Sequence, residues 1–232
     1  MKAIAIITAR GGSKRIPKKN LRDFCGKPII AYSIEAAIES EMFEEVMVST
    51  DSVEIASIAE EYGAKVPFLR SAETSDDFAT TSDVIKEVLS RYEQFSQKFD
   101  LFCCIYPTAP FVTAGKLKNA IAKINSSDAT ALIPVVQFSF PPQRAMIIEN
   151  EKIRYMYPEF ERIRSQDLQP IYHDCGQFYI CKVDAFKESG SIITKKTIAF
   201  IMPEEEVQDI DNISDWILAE EKYRLFFDRN KK

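Results

Sequence analysis

The chain has 232 residues, and 30 Lys and Arg stand against 35 Asp and Glu, a net charge of −5. Against a prior of ~150 residues per domain this reads as one large domain, and the acidic balance argues against a general nucleic-acid binder. No apolar run approaches the ~20 residues that cross a bilayer, and Ala3-Ile4-Ala5-Ile6-Ile7 is shorter than the ~7–15-residue apolar stretch of a secretory signal.

In chain order, Lys2 to Thr8 is short, apolar and β-branched, which predicts a buried strand. Ala9 to Phe24 is polar and basic around Gly11 and Gly12, a loop. From Ile29 to Ile38 apolar residues recur at helical spacing behind Pro28, which suits a first helical turn. The pattern then repeats. Residues 46–49 predict a strand, and Val53 to Tyr62 a helix ended by Gly63. Residues 65–69 predict a short strand, and Ser82 a cap for a helix reaching about Phe95. Leu101 to Tyr106 predicts a central strand, 114–124 a helix, and Ala129 to Val136 an extended segment. Such alternation implies a mostly parallel sheet covered on both faces. Residues 137–170 break it with Pro141-Pro142, scattered arginines and a strand pair near Ile153 to Tyr157, so they are expected to form an inserted arm. Strands resume at Gln177 to Cys181 and Ile198 to Met202, and a last helix runs from Ile213 to about Phe227.

Cys25, Cys103, Cys104, Cys175 and Cys181 show no zinc-ligand spacing, and a chain this long needs no staples. They are expected to be reduced thiols of a cytoplasmic protein. The lone His173 cannot build a multi-histidine metal site.

Four blocks carry chemistry. Ala9-Arg10-Gly11-Gly12-Ser13-Lys14-Arg15-Ile16-Pro17-Lys18-Lys19-Asn20 follows the first strand directly. Its glycines let backbone N–H groups approach an anion, and its cations supply charge. It matches neither GxxxxGK[ST] nor GxGxxG, and a solvated basic loop is the plainer alternative. Its place after a parallel strand favours a phosphate cradle. Asp209-Ile210-Asp211 puts two carboxylates on one side of an extended segment, where they suit a hard cation such as Mg²⁺. A solvated acidic turn after Glu204-Glu205-Glu206 is the alternative. Tyr106-Pro107-Thr108-Ala109-Pro110 makes a rigid turn after the central strand. Tyr172-His173-Asp174-Cys175-Gly176-Gln177-Phe178-Tyr179 joins the only histidine to a carboxylate and a glycine turn. A Cys175–His173 nucleophilic pair is conceivable, but nothing else in the sequence supports acyl chemistry.

These four blocks, in this order, resemble the CMP-sugar synthetases that activate nonulosonic acids, from the first strand to the last helix. Tyr106 stands where the sialic acid enzymes usually carry Gln, and His173-Asp174-Cys175-Gly176 where they usually carry Arg-Pro-Asn-Gly. Both departures look like the pseudaminic acid branch of the family, which usually has Ala where this chain has Cys175.

The resemblance implies a Rossmann-like nucleotide-diphospho-sugar transferase fold. That is an α/β/α sandwich over residues 1–232, with an arm at 137–170 that reaches across a homodimer and helps close the partner's site. It implies a cytidylyltransferase reaction in which CTP and pseudaminic acid give CMP-pseudaminic acid and pyrophosphate. Sialic, legionaminic or 3-deoxy-manno-octulosonic acid are the alternative acids, and a non-catalytic nucleotide-binding module is a rival of another class. By the same resemblance, Ala9, Arg10, Gly11, Gly12, Ser13, Lys14, Lys19 and Asn20 contact the triphosphate and nucleotide. Arg70 lies near the cytosine, and Ala79, Thr80 and Thr81 beside base and ribose. Asp209 and Asp211 hold Mg²⁺, with Mn²⁺ as a substitute, and Lys14 and Arg10 share the catalytic work with them. Tyr106, Thr108, Arg164, His173, Asp174 and Gln177 face the acidic nine-carbon sugar, with Arg162 second to Arg164 for its carboxylate. No nucleic acid or membrane partner is expected. The product is expected to serve flagellin glycosylation or surface polysaccharide.

Overall fold

The structure is a computed structural model that describes residues 1–226. In chain order its elements are β1 (Ala3–Thr8), β2 (Asp23–Phe24), β3 (Lys27–Pro28), α1 (Ile29–Glu39), β4 (Glu45–Ser49) and α2 (Val53–Glu61). Then come α3 (Thr81–Gln94), β5 (Leu101–Ile105), α4 (Ala114–Asn125), β6 (Ala131–Gln137), β7 (Met146–Glu149) and β8 (Lys152–Tyr155). The chain ends with β9 (Tyr172–Asp174), β10 (Phe178–Lys182), α5 (Val183–Ser189), β11 (Thr197–Ile201) and α6 (Ile213–Phe226).

One sheet of order β11-β6-β10-β5-β1-β4 organises the molecule, with β9 paired to β6. β4, β1, β5, β6 and β11 run in one direction, whereas β10 is antiparallel to β5 and β6, and β9 is antiparallel to β6. The mostly parallel sheet read from the sequence is therefore a mixed one with a reversed strand near its centre. The two-residue period of β1 builds both cores. Ala3, Ala5 and Ile7 pack with Ile30, Ile34, Ile55, Leu117 and Ile121 of α1, α2 and α4. Ile4 and Ile6 pack with Ile85, Val88, Tyr92 and Phe186 of α3 and α5. Burial on both faces is why this strand reads as an unbroken apolar run.

Several elements differ from their sequence reading. Residues 65–69 form no strand. Lys65 makes one bridge to Met47, and Pro67 has no N–H with which to continue a ladder. Thr80, not Ser82, caps α3, and Asp83 returns the bond in a capping box. Helix α5, of which only Val183 and Phe186 are buried, had no signal in the sequence. The end expected for the last helix, Phe227, lies outside the described residues. The arm does leave the sheet: Phe138 N donates to Ile171 O at its base (3.0 Å), and β7 and β8 form an antiparallel hairpin inside it. Among the described residues no helix is long and apolar enough to cross a membrane.

A third apolar cluster lies beyond the sheet edge. Ile16 of the basic loop, Phe24, Ile29, Tyr32, Phe111, Ile210 and Trp216 of α6 pack together. Burying an isoleucine contributes about 1.5–3 kcal/mol. Ile16 and Ile210 are each essentially solvent-free, so this cluster holds the basic loop and the acidic segment to each other.

Candidate active site

A cleft of about 630 Å³ opens where β1 and β5 end. Thr8, Arg10, Ser13, Lys14, Arg15, Lys19 and Asn20 line one wall, and Arg70, Asp76, Asp77, Ala79, Thr80 and Thr81 another. Tyr106, Thr108 and Asp211 complete it. Ligands of open α/β sheets bind at such carboxyl-terminal strand ends.

The loop after β1 is shaped by three contacts. Ala9 is buried and its N–H donates to Ser49 O at 2.9 Å, extending the β1–β4 ladder. The Gly11 N–H donates to Asp51 Oδ1 at 2.7 Å. A Cβ on Gly11 would stand 3.1 Å from Ser52 Cβ, a tight contact that a shift of a few tenths of an ångström at the start of α2 would relieve. Asn20, 6% exposed, donates from Nδ2 to Arg10 O at 2.9 Å and fixes the turn. Two expectations change accordingly. Ala9 is a core residue one position past β1, and the Gly11 N–H is already engaged by Asp51. Gly12 is exposed and borders a shallower neighbouring hollow with Ser13, Lys14 and Asp77.

The cradle cations meet a carboxylate that the sequence reading missed. Arg10 Nη1 lies 3.0 Å from Asp77 Oδ1 and donates to Asp76 O at 3.0 Å. Lys14 Nζ also pairs with Asp77. The Lys14 bond, then its charge, and then Arg10 hold the Asp77 carboxyl below its ordinary range. Arg70 is nearly buried. Its Nε donates to Ser49 Oγ at 3.0 Å and its Nη2 to Ser49 O at 2.6 Å, and burial lowers its pKa. Thr81 Oγ1 and the Tyr106 hydroxyl lie 3.2 Å apart.

The acidic segment, just before α6, faces this cleft with Asp211. Ile210 is 1% exposed between two carboxylates that remain accessible, which is the alternation of an extended segment. Arg15 Nη1 is 2.7 Å from Asp211 Oδ2, and Lys19 Nζ donates to Ile210 O at 2.8 Å. Burial lowers the Lys19 pKa, and Asp211 and Asp209 oppose that shift. Asp209 borders a second cavity instead.

That second cavity, about 540 Å³, is lined by Phe138, Ser139, His173, Asp174, Cys175, Gly176, Tyr179, Gln208, Asp209 and Lys222. It adjoins the first across Tyr106 and Tyr179, whose ring centroids are 5.5 Å apart. The Tyr179 hydroxyl donates to both Asp174 oxygens, at 2.9 and 2.8 Å, and the Gly176 N–H to Oδ1 at 2.8 Å. The His173 ring lies 4.6 Å from that of Phe138, and its Nδ1 is 2.9 Å from Asp174 O.

Of the six residues expected around the sugar, His173 and Asp174 line this cavity, whereas Tyr106 and Thr108 line the first. Gln177 is 2% exposed and donates from Nε2 to Glu206 O at 2.7 Å, so it is a structural side chain here. Arg164 is exposed and paired with Asp167, at 2.7 Å from its Nε, and lines neither cavity. Arg162 is likewise exposed outside them. Both arginines lie in the arm, which leaves the sheet. Burial pushes the Cys175 thiol up to about 12, which leaves it a poor nucleophile and disposes of the Cys175–His173 pair. Asp77 and Lys222 carried no sequence signal beyond being ordinary polar residues, whereas Arg15 and Tyr179 stood inside two of the four blocks without being singled out.

Among the described residues no three His, Cys, Asp or Glu side chains group to enclose a metal. Asp211 in the cationic cleft, with the accessible Asp209 two residues before it at the adjoining cavity, would offer carboxylate oxygens to a hard divalent ion that takes the rest from phosphate and water.

The family model of the cytidylyltransferases matches residues 4–171. The chain is 41% identical over 226 residues to a pseudaminic acid cytidylyltransferase of Campylobacter jejuni, covering 97% of each. It is 34% identical over 232 aligned positions to the CMP-N,N'-diacetyllegionaminic acid synthase of Legionella pneumophila, again covering 97% of each. Its fold matches that of a CMP:2-keto-3-deoxy-manno-octonic acid synthetase complexed with CTP. The TM-score is 0.69 at 16% identity, over 99% of this chain and 100% of the other. With the sheet, the cationic cleft and the acidic segment in place, these similarities make the chain a member of the cytidylyltransferase family.

Proposed function

We propose that the protein transfers CMP from CTP to pseudaminic acid, releasing pyrophosphate. One observation carries this reading: Arg10, Lys14 and Asp211, from opposite ends of the chain, line one cleft. The identity of the acid is supported by the Campylobacter jejuni relative and by His173 and Asp174 lining the second cavity.

The sugar's anomeric oxygen attacks the α-phosphorus, the bond to the bridging oxygen breaks, and pyrophosphate leaves as the hydroxyl proton is released. Positioning and charge neutralisation dominate such a transfer. Lys14 and Arg10 follow the charge that builds on the leaving pyrophosphate. Ser13 and Asn20 line the same wall, and Arg70, Ala79, Thr80 and Thr81 border the base and ribose. Asp209 and Asp211 would hold Mg²⁺ or Mn²⁺. When bound, such an ion neutralises phosphate oxygens and lowers the pKa of an oxygen it coordinates. Tyr106 and Tyr179 separate the nucleotide from the acid and orient both across their shared wall.

The arm is proposed to pair two copies of the chain. Met146, Ile148, Ile153 and Met156 are all exposed on or beside its hairpin, an apolar surface of the kind that marks an interaction site. Work in the cytoplasm, expected from the thiols, is supported by five cysteines that form no disulfide.

The test is pyrophosphate release from CTP and Mg²⁺ with a panel of nonulosonic acids. Pseudaminic acid is expected to give the highest kcat/KM. Preference for legionaminic, sialic or 3-deoxy-manno-octulosonic acid would keep the reaction and change the substrate. No release with any acid would leave a nucleotide-binding module.

A further inference from the structure

The segment that carries Asp209 and Asp211 has little regular structure of its own. After one turn at Glu204–Glu206 it runs irregularly to the start of α6. Irregular backbone must find its hydrogen-bond partners elsewhere, and here they come from three directions. Lys222 Nζ on α6 donates to Val207 O at 2.8 Å, and Lys19 Nζ on the basic loop to Ile210 O at 2.8 Å. From beneath, Gln177 donates to Glu206 O, and the Glu206 carboxylate pairs with Lys116.

Lys116 is the unexpected member. It sits in the first turn of α4, capped by Thr113, where the positive helix end disfavours a cation. Its side chain is nonetheless largely buried. Its Nζ also donates to Phe111 O at 2.6 Å, in the loop after β5. Burial lowers its pKa and Glu206 opposes that shift. Gln177 adds a second cost, because its buried Oε1 has no hydrogen-bond partner. A largely buried ion pair is a weak source of stability compared with apolar side chains of similar volume, and Glu206 here keeps about a quarter of its side chain exposed. The pair's place at an unfavourable helix end, tied to the acidic segment, points to geometry as its purpose.

We propose that the Lys116–Glu206 pair, with Gln177, is a positioning device for the segment that carries Asp209 and Asp211, setting Asp211 in the cationic cleft and Asp209 at the adjoining cavity so that the two can share a divalent ion. This rests on the reading that those carboxylates take a metal with the nucleotide. Partners that orient metal-binding groups commonly change affinity by about 10- to 100-fold when removed.

The test uses Lys116→Met, Glu206→Gln and the double variant Lys116→Met/Glu206→Met. The double variant replaces both charges with apolar groups and keeps the question answerable if a single variant fails to fold. Mn²⁺ affinity is measured directly by electron paramagnetic resonance with CTP present, and CTP affinity by calorimetry without metal. The expected result is Mn²⁺ binding weakened at least about tenfold with metal-free CTP binding changed less than about twofold. A folded variant with unaltered Mn²⁺ affinity overturns the proposal. So does equal weakening of both affinities, which would mark a general structural role. If the unaltered protein binds Mn²⁺ with CTP yet releases no pyrophosphate, the proposed reaction fails and this proposal stands.

Discussion

Arg15 Nη1 lies 2.7 Å from Asp211 Oδ2, joining the loop after the first strand to the segment before the last helix. Both side chains are largely solvated, so the pair itself holds little. The apolar residues beside them, Ile16 and Ile210, share a buried cluster with Trp216 and Phe24. Hydrophobic packing makes the approach and the charges exploit it.

Ile16→Ala should therefore act on both fold and function. Truncating a fully buried isoleucine costs about 2–5 kcal/mol. Urea unfolding should show that loss, and the KM for CTP should rise because the loop is no longer held. Unchanged CTP kinetics in a destabilised variant would separate the cluster from the cleft.

Asp77 occupies the cations that a triphosphate would use. Asp77→Asn should lower the KM for CTP by about two- to fivefold, the scale of an exposed ion pair. Initial rates at subsaturating CTP measure this. A raised KM would mean that Asp77 organises Arg10 and Lys14 instead of competing for them.

The Asp174 carboxylate is held by Tyr179 and the Gly176 N–H beside the second cavity. Asp174→Ala leaves the buried Tyr179 hydroxyl without that partner. The KM for the acid should rise by about tenfold, the scale of a lost hydrogen bond to a charged group, while the KM for CTP changes less than about twofold. Equal rises would place Asp174 in general folding.

Much of this was legible in the sequence and some was not. The apolar β-branched run of β1, the α1 periodicity and the basic loop after β1 are local patterns, and the structure forms each where the sequence predicts it. The exposure of Asp209 and Asp211 about a buried Ile210 followed from a two-residue period, although the two border different cavities. The reversed direction of β10 was not legible, because a buried strand reads alike whichever way it runs. Nor was the conversion of Gln177 from a pocket residue to a backbone donor. That depends on Glu206, brought beside it only by the fold. Arg164, given to the sugar by resemblance, lies on the arm outside both cavities of its own chain, as a residue that serves a partner's site would.

Alkaline stability should report on the buried thiols. Burial raises Cys104, Cys175 and Cys181 to about 12 in the folded chain. Below the ordinary thiol range, both folded and unfolded thiols are protonated and stability is at its full value. As pH rises from that range toward about 12, unfolded thiols ionise first, so stability falls. The urea midpoint should drop between about pH 8 and about pH 10, and less so in a Cys104→Ala/Cys175→Ala/Cys181→Ala variant. An equal drop in both would assign the effect to other groups.

The convergence of cradle and carboxylates on one triphosphate is tested most directly by ³¹P magnetic resonance of protein-bound CTP titrated with Mn²⁺. The unaltered protein should show strong paramagnetic broadening of the CTP phosphorus signals. Asp211→Asn should lose most of it while Lys14→Met weakens CTP binding itself. Broadening that survives Asp211→Asn unchanged, with CTP affinity untouched by Lys14→Met, would contradict the account.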